Sequence, residues 1–244
     1  MEQVKYYPVG DRAMLVEFGR VIDEGTNNEV QGLSRTLVKQ QIHGVTELQP
    51  TIRSLMIYYD PELITYSRLR QETERCRQCV QTGQQEEKKI LMVPCCYGAR
   101  FGCDLKDMEE YTGLDRDEII AIHSGIDYKI YMLGFLPGFV YLGGLDSRIH
   151  MPRLDSPRLK IAPGAVGIGG SQTGIYPMES PGGWRLIGGT PIDLYDPYRD
   201  PATLCEAGMY IRFVPITVDE FYDIRREVVE GRYQPEILIT SVEK

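Results

Sequence analysis

The sequence predicts an α+β protein, with a small α/β sandwich ahead of a larger, mostly β domain. Three observations carry that prediction. Up to about residue 84, apolar runs and helical periodicities follow the order β-β-α-β-β-α. Residues 82–89, Thr-Gly-Gln-Gln-Glu-Glu-Lys-Lys, contain no apolar side chain and read as a linker between a domain over 1–84 and one over 90–244. From Tyr128 to Pro215, short apolar runs are cut repeatedly by Gly and Pro, the pattern of many short strands in a barrel or sandwich.

The elements follow in order. Val4 to Pro8 and Met14 to Phe18 flank Gly10-Asp11-Arg12 and read as a hairpin. Val30, Leu33 and Leu37 recur at helical spacing, and Gly44 is the expected stop. Val45 to Leu48 and Leu55 to Tyr59 are strands separated by a break at Pro50; Asp60-Pro61 turns the chain. Leu69, Cys76, Cys79 and Val80 mark a second helix. Ile90 to Val93 opens the second domain as a strand. Asp104 and Asp107 stand at cap and third-residue spacing before a short helix, and Asp115 and Glu118 form a capping box before another, whose apolar face is Ile119, Ile120 and Ile122. No helix is expected between Tyr128 and Pro215. Thr217 and Glu220 form the capping box of a last helix with Phe221, Ile224 and Val228 on one face, and the chain after Gly231 reads as a surface strand or loose end.

Composition narrows the function. Apolar residues at 42% and charged residues at 25% are globular values over 244 residues. A net charge of -8 disfavours binding to a phosphate backbone, so no nucleic-acid partner is expected. There is neither an apolar run of membrane-spanning length nor the pattern of a signal peptide, so the expectation is a cytoplasmic protein with no membrane partner. Without an export signal a disulfide framework is not expected among the six cysteines. Cys76 and Cys79 have metal or redox spacing, but they sit at helical spacing with Leu69 and read as a buried stripe. His43, His123 and His150 are scattered, so no metal site is expected.

Several residues in the Gly-rich region carry a functional and a plain reading side by side. Residues 164–174 lack both the Gly-Lys-Ser/Thr of a phosphate loop and a following helix. Ser171, Gln172 and Thr173 either line a cleft or bond their own turn. Trp184, the single tryptophan, walls a pocket or plugs a barrel end. Phe135, Phe139 and Tyr141 around Pro137-Gly138 line a groove or fill a strand core. His123 ends a helix and reads as a cap, with acid–base work as the alternative. No serine-hydrolase elbow occurs, and no residue is assigned as catalytic.

Residues 135–146, Phe-Leu-Pro-Gly-Phe-Val-Tyr-Leu-Gly-Gly-Leu-Asp, together with 167–177, Gly-Ile-Gly-Gly-Ser-Gln-Thr-Gly-Ile-Tyr-Pro, and 180–188, Ser-Pro-Gly-Gly-Trp-Arg-Leu-Ile-Gly, resemble the three signatures of one family. Residues 8–13, 50–55 and 94–98 fit it too. This is the carboxyltransferase C/D family, which includes the B component of 5-oxoprolinase, the first subunit of allophanate hydrolase and the sporulation kinase inhibitor. The resemblance implies a cyclophilin-like β-barrel preceded by a smaller α/β domain. It implies a companion subunit, the C component of 5-oxoprolinase. With the A component added, it implies an ATP-dependent opening of the lactam 5-oxoproline to glutamate, the ATP being handled by the complex rather than this chain alone. On that basis Ser171, Gln172 and Thr173 would hydrogen-bond the substrate, and Trp184, Phe139 and Gly138 would shape its pocket. The kinase-inhibitor branch implies a different partner, a sensor histidine kinase; an allophanate-hydrolase role has less in its favour, with no biotin-attachment or amidase signature. Gly189 departs from the family, where Arg is common, and so does Cys103, where Pro is common.

Overall fold

The computed structural model describes residues 4–79 and 87–240. The chain divides into two compact units, Met1–Gln85 and Glu86–Lys244. Residues 82–86 of the expected linker lie outside the described residues, and its last two, Lys88 and Lys89, already belong to a strand.

In the first unit, β1 (Lys5–Val9), β2 (Ala13–Glu17), α1 (Glu24–Gln40), β3 (Val45–Pro50), β4 (Ser54–Tyr59) and α2 (Tyr66–Gln78) follow in sequence. The sheet is antiparallel in the order β1-β2-β4-β3. Alternation along β2 and β4 turns Met14, Val16, Leu55 and Ile57 to one face, where both helices cover them with Val30, Leu33, Leu37, Leu69 and Cys76. Asp23 caps α1 by accepting from Thr26 N at 2.9 Å. The helix ends at Gln41, in the left-handed region at φ 46°, three residues before the expected Gly44. Cys76 joins the buried stripe but Cys79 is exposed at the end of α2, so only half of that expectation holds. No cluster of metal-ligating side chains occurs among the described residues.

The second unit contains β5 (Lys88–Tyr97), α3 (Leu105–Thr112), α4 (Arg116–Ser124), β6 (Tyr128–Leu133), β7 (Val140–Gly143), a 3-10 turn (Ser147–Ile149), β8 (Arg158–Ile161), β9 (Ala165–Gly169), β10 (Gln172–Ile175), β11 (Ser180–Gly182), β12 (Arg185–Gly189), β13 (Tyr210–Pro215), α5 (Val218–Val229) and β14 (Ile237–Thr240). Apart from the 3-10 turn, Tyr128 to Pro215 is free of helix, as its punctuation by Gly and Pro predicts. An eight-stranded sheet runs β12-β9-β10-β7-β6-β13-β5-β14, and a further pairing of β12 with β5 closes the first seven into a barrel. Closure uses Gly188 opposite Tyr97 and Gly189 opposite Cys96. A side chain at Gly188 would stand 2.8 Å from Cys95 Sγ and 2.9 Å from the Cys96 carbonyl, so glycine is what lets the seam close. β13 lies parallel to β5, and β14 pairs with Lys88, Lys89, Ile90 and Leu91 at the start of that strand as the edge. The barrel is filled by one core, including Leu91, Val93, Val140, Leu142, Val166, Ile168, Ile175 and Phe213. Both capping boxes form as expected, Asp115 with Glu118 and Thr217 with Glu220. No helix among the described residues is long and apolar enough to cross a membrane.

Candidate functional site

Alternation along β7, β9 and β10 sends one set of side chains into the barrel and the other set out. Val140, Leu142, Val166, Ile168, Thr173 and Ile175 go in; Tyr141, Gly167, Gly169, Gln172 and Gly174 face the other way. Glycine at three of those outward positions leaves a flat surface, and the Trp184 indole lies on it. A Cβ at Gly169 would overlap the indole Cδ1 and Nε1, one at Gly174 would stand 3.0 Å from Cζ3, and one at Gly167 3.3 Å from the Trp184 Cβ. The Gly-rich signature is therefore a seat for one tryptophan rather than a phosphate cradle.

Around the indole, Phe139, Ile161, Tyr176 and Leu186 complete a second apolar cluster. The Phe139 ring meets Trp184 edge-on at 5.6 Å between centroids, and Phe139 also contacts Tyr141 and Tyr176 at 5.1 and 5.4 Å. Phe135 stands 65% exposed at the rim, edge-on to Phe139 and in the left-handed region at φ 66°. The antiparallel ribbon of β8 and β11 brings Ile161 and Gly182 against Tyr176. Burial raises the hydroxyl pKa of both Tyr141 and Tyr176, against the opposing charge of Arg153.

The structure separates the three residues of the Ser-Gln-Thr run. Ser171 is exposed in the β9–β10 turn. Gln172 lies opposite Gly169, beside the indole, and its Nε2 is buried without a hydrogen-bond partner. Thr173 is fully buried inside the barrel, where its hydroxyl meets His123 Nε2 at 2.8 Å and donates to the Gly167 carbonyl at 3.1 Å. Gln172, Trp184 and Phe139 are thus brought together, while Ser171 and Thr173 are not part of that wall. Gly138 is buried at φ 77°, and a side chain there would reach 2.5 Å from Tyr195 Cβ, so it serves the packing of the loop behind Phe139.

His123 is not the helix cap it resembles in sequence. It is fully buried, held by the Tyr97 hydroxyl at Nδ1 (2.7 Å) and Thr173 at Nε2, with the tilted rings of Tyr128 and Phe213 against it. Burial pulls its pKa down to about 3, so the imidazole is neutral. Asp104 likewise departs from its expected role: it makes no side-chain cap bond to α3. Its carboxylate accepts instead from Leu186 N at 2.6 Å and from Arg158 at 2.7 Å, and Arg158 also donates to the Trp184 carbonyl at 3.4 Å. The loop before α3, strand β8 and the start of β12 meet on that one carboxylate, directly behind Trp184. Arg185 is committed to Asp107 at 2.8 Å. At Gly189, a Cβ would stand 2.9 Å from Phe101 Cδ1, so the position is occupied by packing rather than open to an anion. Asp104, Arg158 and Tyr176 were missed as site residues because their partners lie far away in sequence.

The groove along α2, between Tyr66 and Gln78, is open, and three of its lining side chains, Glu74, Arg75 and Gln78, are already paired. Glu74 there accepts from Tyr6, Arg77 and Gln78, and Arg75 pairs with Glu72. The barrel face around Trp184 is the better candidate. Residues 164–174 are a hairpin whose amides serve the strand ladder, and no helix directly follows it.

Residues 4–205 match the family model described as the carboxyltransferase domain, subdomain C and D. The chain belongs to that family. Among its curated relatives is the B component of the Bacillus subtilis 5-oxoprolinase, one subunit of that enzyme, 37% identical over 90% of this chain and 95% of the relative. The solved TTHA0988 structure superposes with a TM-score of 0.75 at 31% identity, over 84% of this chain and 40% of that one. The Kluyveromyces lactis urea amidolyase structure superposes over 97% of this chain with a TM-score of 0.81 at 22% identity, which establishes the shared fold. The match spans only 16% of that amidolyase, where the same fold is one part of a longer polypeptide.

Proposed function

We propose that the chain is the B component of an ATP-dependent 5-oxoprolinase, acting with companion C and A components to open 5-oxoproline to glutamate. The near full-length similarity to the corresponding Bacillus subtilis protein carries this reading. The barrel face supports it. Trp184, seated on glycines, and Phe139 form a buried apolar floor beside the exposed Phe135 ring. The unpartnered Gln172 Nε2 beside it is a donor suited to a lactam carbonyl. A ring amide is resonance-stabilised, so its hydrolysis is coupled to ATP. That coupling is assigned to the assembly. The role of this chain is to hold the ring and shield it from water.

Reconstitution tests the reading. The chain alone should release no glutamate from 5-oxoproline, and the chain with its companion subunits should do so in step with ATP consumption. A reconstituted complex that hydrolyses ATP without opening the lactam would overturn it. One observation favours a regulatory alternative, binding a segment of a sensor histidine kinase: Phe135 presents an exposed ring at the rim. That alternative requires the chain to suppress kinase autophosphorylation, and Phe135→Ala to abolish the effect.

A further inference from the structure

A strained point of the barrel unit is Phe135, in the connection between β6 and β7. Its φ of 66° lies in the left-handed region, and the Leu136 N–H donates to the Gly134 carbonyl at 2.8 Å, closing a three-residue turn centred on Phe135. Such a turn is rare, and it strains any residue that carries a Cβ. Glycine would close it freely. The ring does not offset the strain by burial: it is 65% exposed and meets Phe139 edge-on at 5.7 Å between centroids.

The turn is nevertheless held firmly. Gly134 N donates to the Phe139 carbonyl at 3.1 Å, Phe139 N donates to the Leu136 carbonyl at 3.0 Å, and Gly138 packs against Tyr195. Gln41, at φ 46°, serves the fold by ending α1, its N–H donating to the Leu37 carbonyl. Phe135 has no comparable task that glycine would not perform better. A bulky side chain fixed in the left-handed region and left in solvent is the kind of strain that collects at binding sites.

The shape of the feature decides what it binds. Small molecules sit in concave sites that bury most of their surface. A ring presented on a turn is convex and needs a socket in a partner, as aromatic anchors do at protein interfaces. A second copy offers no apolar socket at the two grooves of the first unit, which are lined mostly by charged and amide side chains such as Arg70, Glu74 and Gln78 in one and Gln40, Arg68 and Glu72 in the other. The match to TTHA0988 covers 40% of that chain and the match to the amidolyase 16%, so this fold occurs in polypeptides that carry further structure.

We propose that Phe135 is the anchor by which the chain docks its companion C component, the ring entering an apolar socket on that partner, and that the strain in the turn is retained to hold the ring ready. The proposal rests on the 5-oxoprolinase reading given above and adds a surface on which the assembly forms.

The full chain is titrated with the companion C component by calorimetry, with light scattering for stoichiometry and urea denaturation followed by Trp184 emission for stability. Phe135→Ala removes the ring and keeps the backbone strained; it should weaken the complex about thirtyfold or more, the loss expected at an interface hot spot. Phe135→Gly removes both ring and strain. It should weaken the complex as much, yet unfold at a higher urea concentration than Phe135→Ala and no lower than wild type. Phe135→Leu, which keeps an apolar side chain, should recover part of the affinity. Wild-type affinity in Phe135→Ala would overturn the anchor and leave the 5-oxoprolinase reading standing. A Phe135→Gly chain less stable than wild type would do the same, because the ring would then be serving the fold. Self-association through Phe135, or binding of a sensor-kinase segment through it in place of the companion, would also overturn the proposal. If wild type does not bind the companion at all, the 5-oxoprolinase reading fails and the proposal falls with it.

Discussion

At the scale of single residues, the site depends on side chains that are absent. Gly169 and Gly174 are glycines because the Trp184 indole occupies the space where a Cβ would sit. Gly170, between them, has open space around it and instead takes φ 67° in the turn. The two causes give separable outcomes. Gly169→Ala should push the indole off its seat, shift its emission to the red and cost about 1–3 kcal/mol, the penalty of overpacking. Gly170→Ala should cost about 1–2 kcal/mol through left-handed backbone strain and leave the emission unchanged. Urea denaturation and emission spectra of the two variants check this, and equal emission shifts would contradict the seat. Gln172, two positions before Gly174 on the same strand face, is the polar exception in this apolar layer. Its Nε2 is buried without a hydrogen-bond partner.

At the scale of elements, what the sequence revealed depended on how far apart the partners lie. The two capping boxes were legible because each joins residues three apart, Asp115 with Glu118 and Thr217 with Glu220. Asp104 carries the same local signature, yet its carboxylate serves Leu186, 82 positions on, and Arg158, 54 positions on. Local pattern cannot distinguish a cap from a clamp when the deciding partner is in another strand. The Ser-Gln-Thr run stood out in the sequence for a related reason, its odd polarity among apolar strands, but strand alternation divides it between two faces and gives Thr173 to His123. Strand β5 was legible only over Ile90 to Val93; pairing with β13 and β12 extends it to Tyr97. The clamp makes its own prediction. Asp104→Ala leaves Leu186 N and Arg158 without their acceptor and should cost about 1.5–3 kcal/mol, with a change in Trp184 emission. Thr217→Ala, which removes only a local cap, should cost about 1 kcal/mol with no such change. Matching losses and unchanged emission in both would show that Asp104 does not hold the wall behind Trp184.

At the scale of the whole molecule, the two compact units carry acid sensitivities in different pH windows. In the first unit, Glu74 is held down to about 2 by hydrogen bonds from Arg77, then Tyr6 and Gln78, against the opposing effect of burial. A carboxylate with a depressed folded pKa stabilises the fold above its ordinary value near 4.5, and that contribution is lost as pH falls from there towards 2. In the barrel unit, burial lowers His123 to about 3, from an ordinary value of 6.5. Below 6.5 the unfolded chain takes up a proton at this histidine and the folded chain does not. The stabilisation is therefore complete above 6.5 and declines as pH falls towards 3, with a slope of at most about 1.4 kcal/mol per pH unit from this group. Asp127, also in the barrel unit, is lowered by Arg212 and Lys88 despite the opposing effect of burial, and acts only in the carboxylate range. Between pH 6.5 and 4.5 the loss thus falls on the barrel, and Trp184 reports it without interference from the first unit. Urea midpoints followed by tryptophan emission should drop steadily through that interval. His123→Gln keeps a polar side chain between Tyr97 and Thr173 but does not titrate; it should lower stability at pH 7 and flatten the slope between 6.5 and 4.5. A variant as acid-sensitive as the parent across that interval would mean that the barrel's response to acid originates in other groups, and that the buried imidazole does no more than join Tyr97 to Thr173.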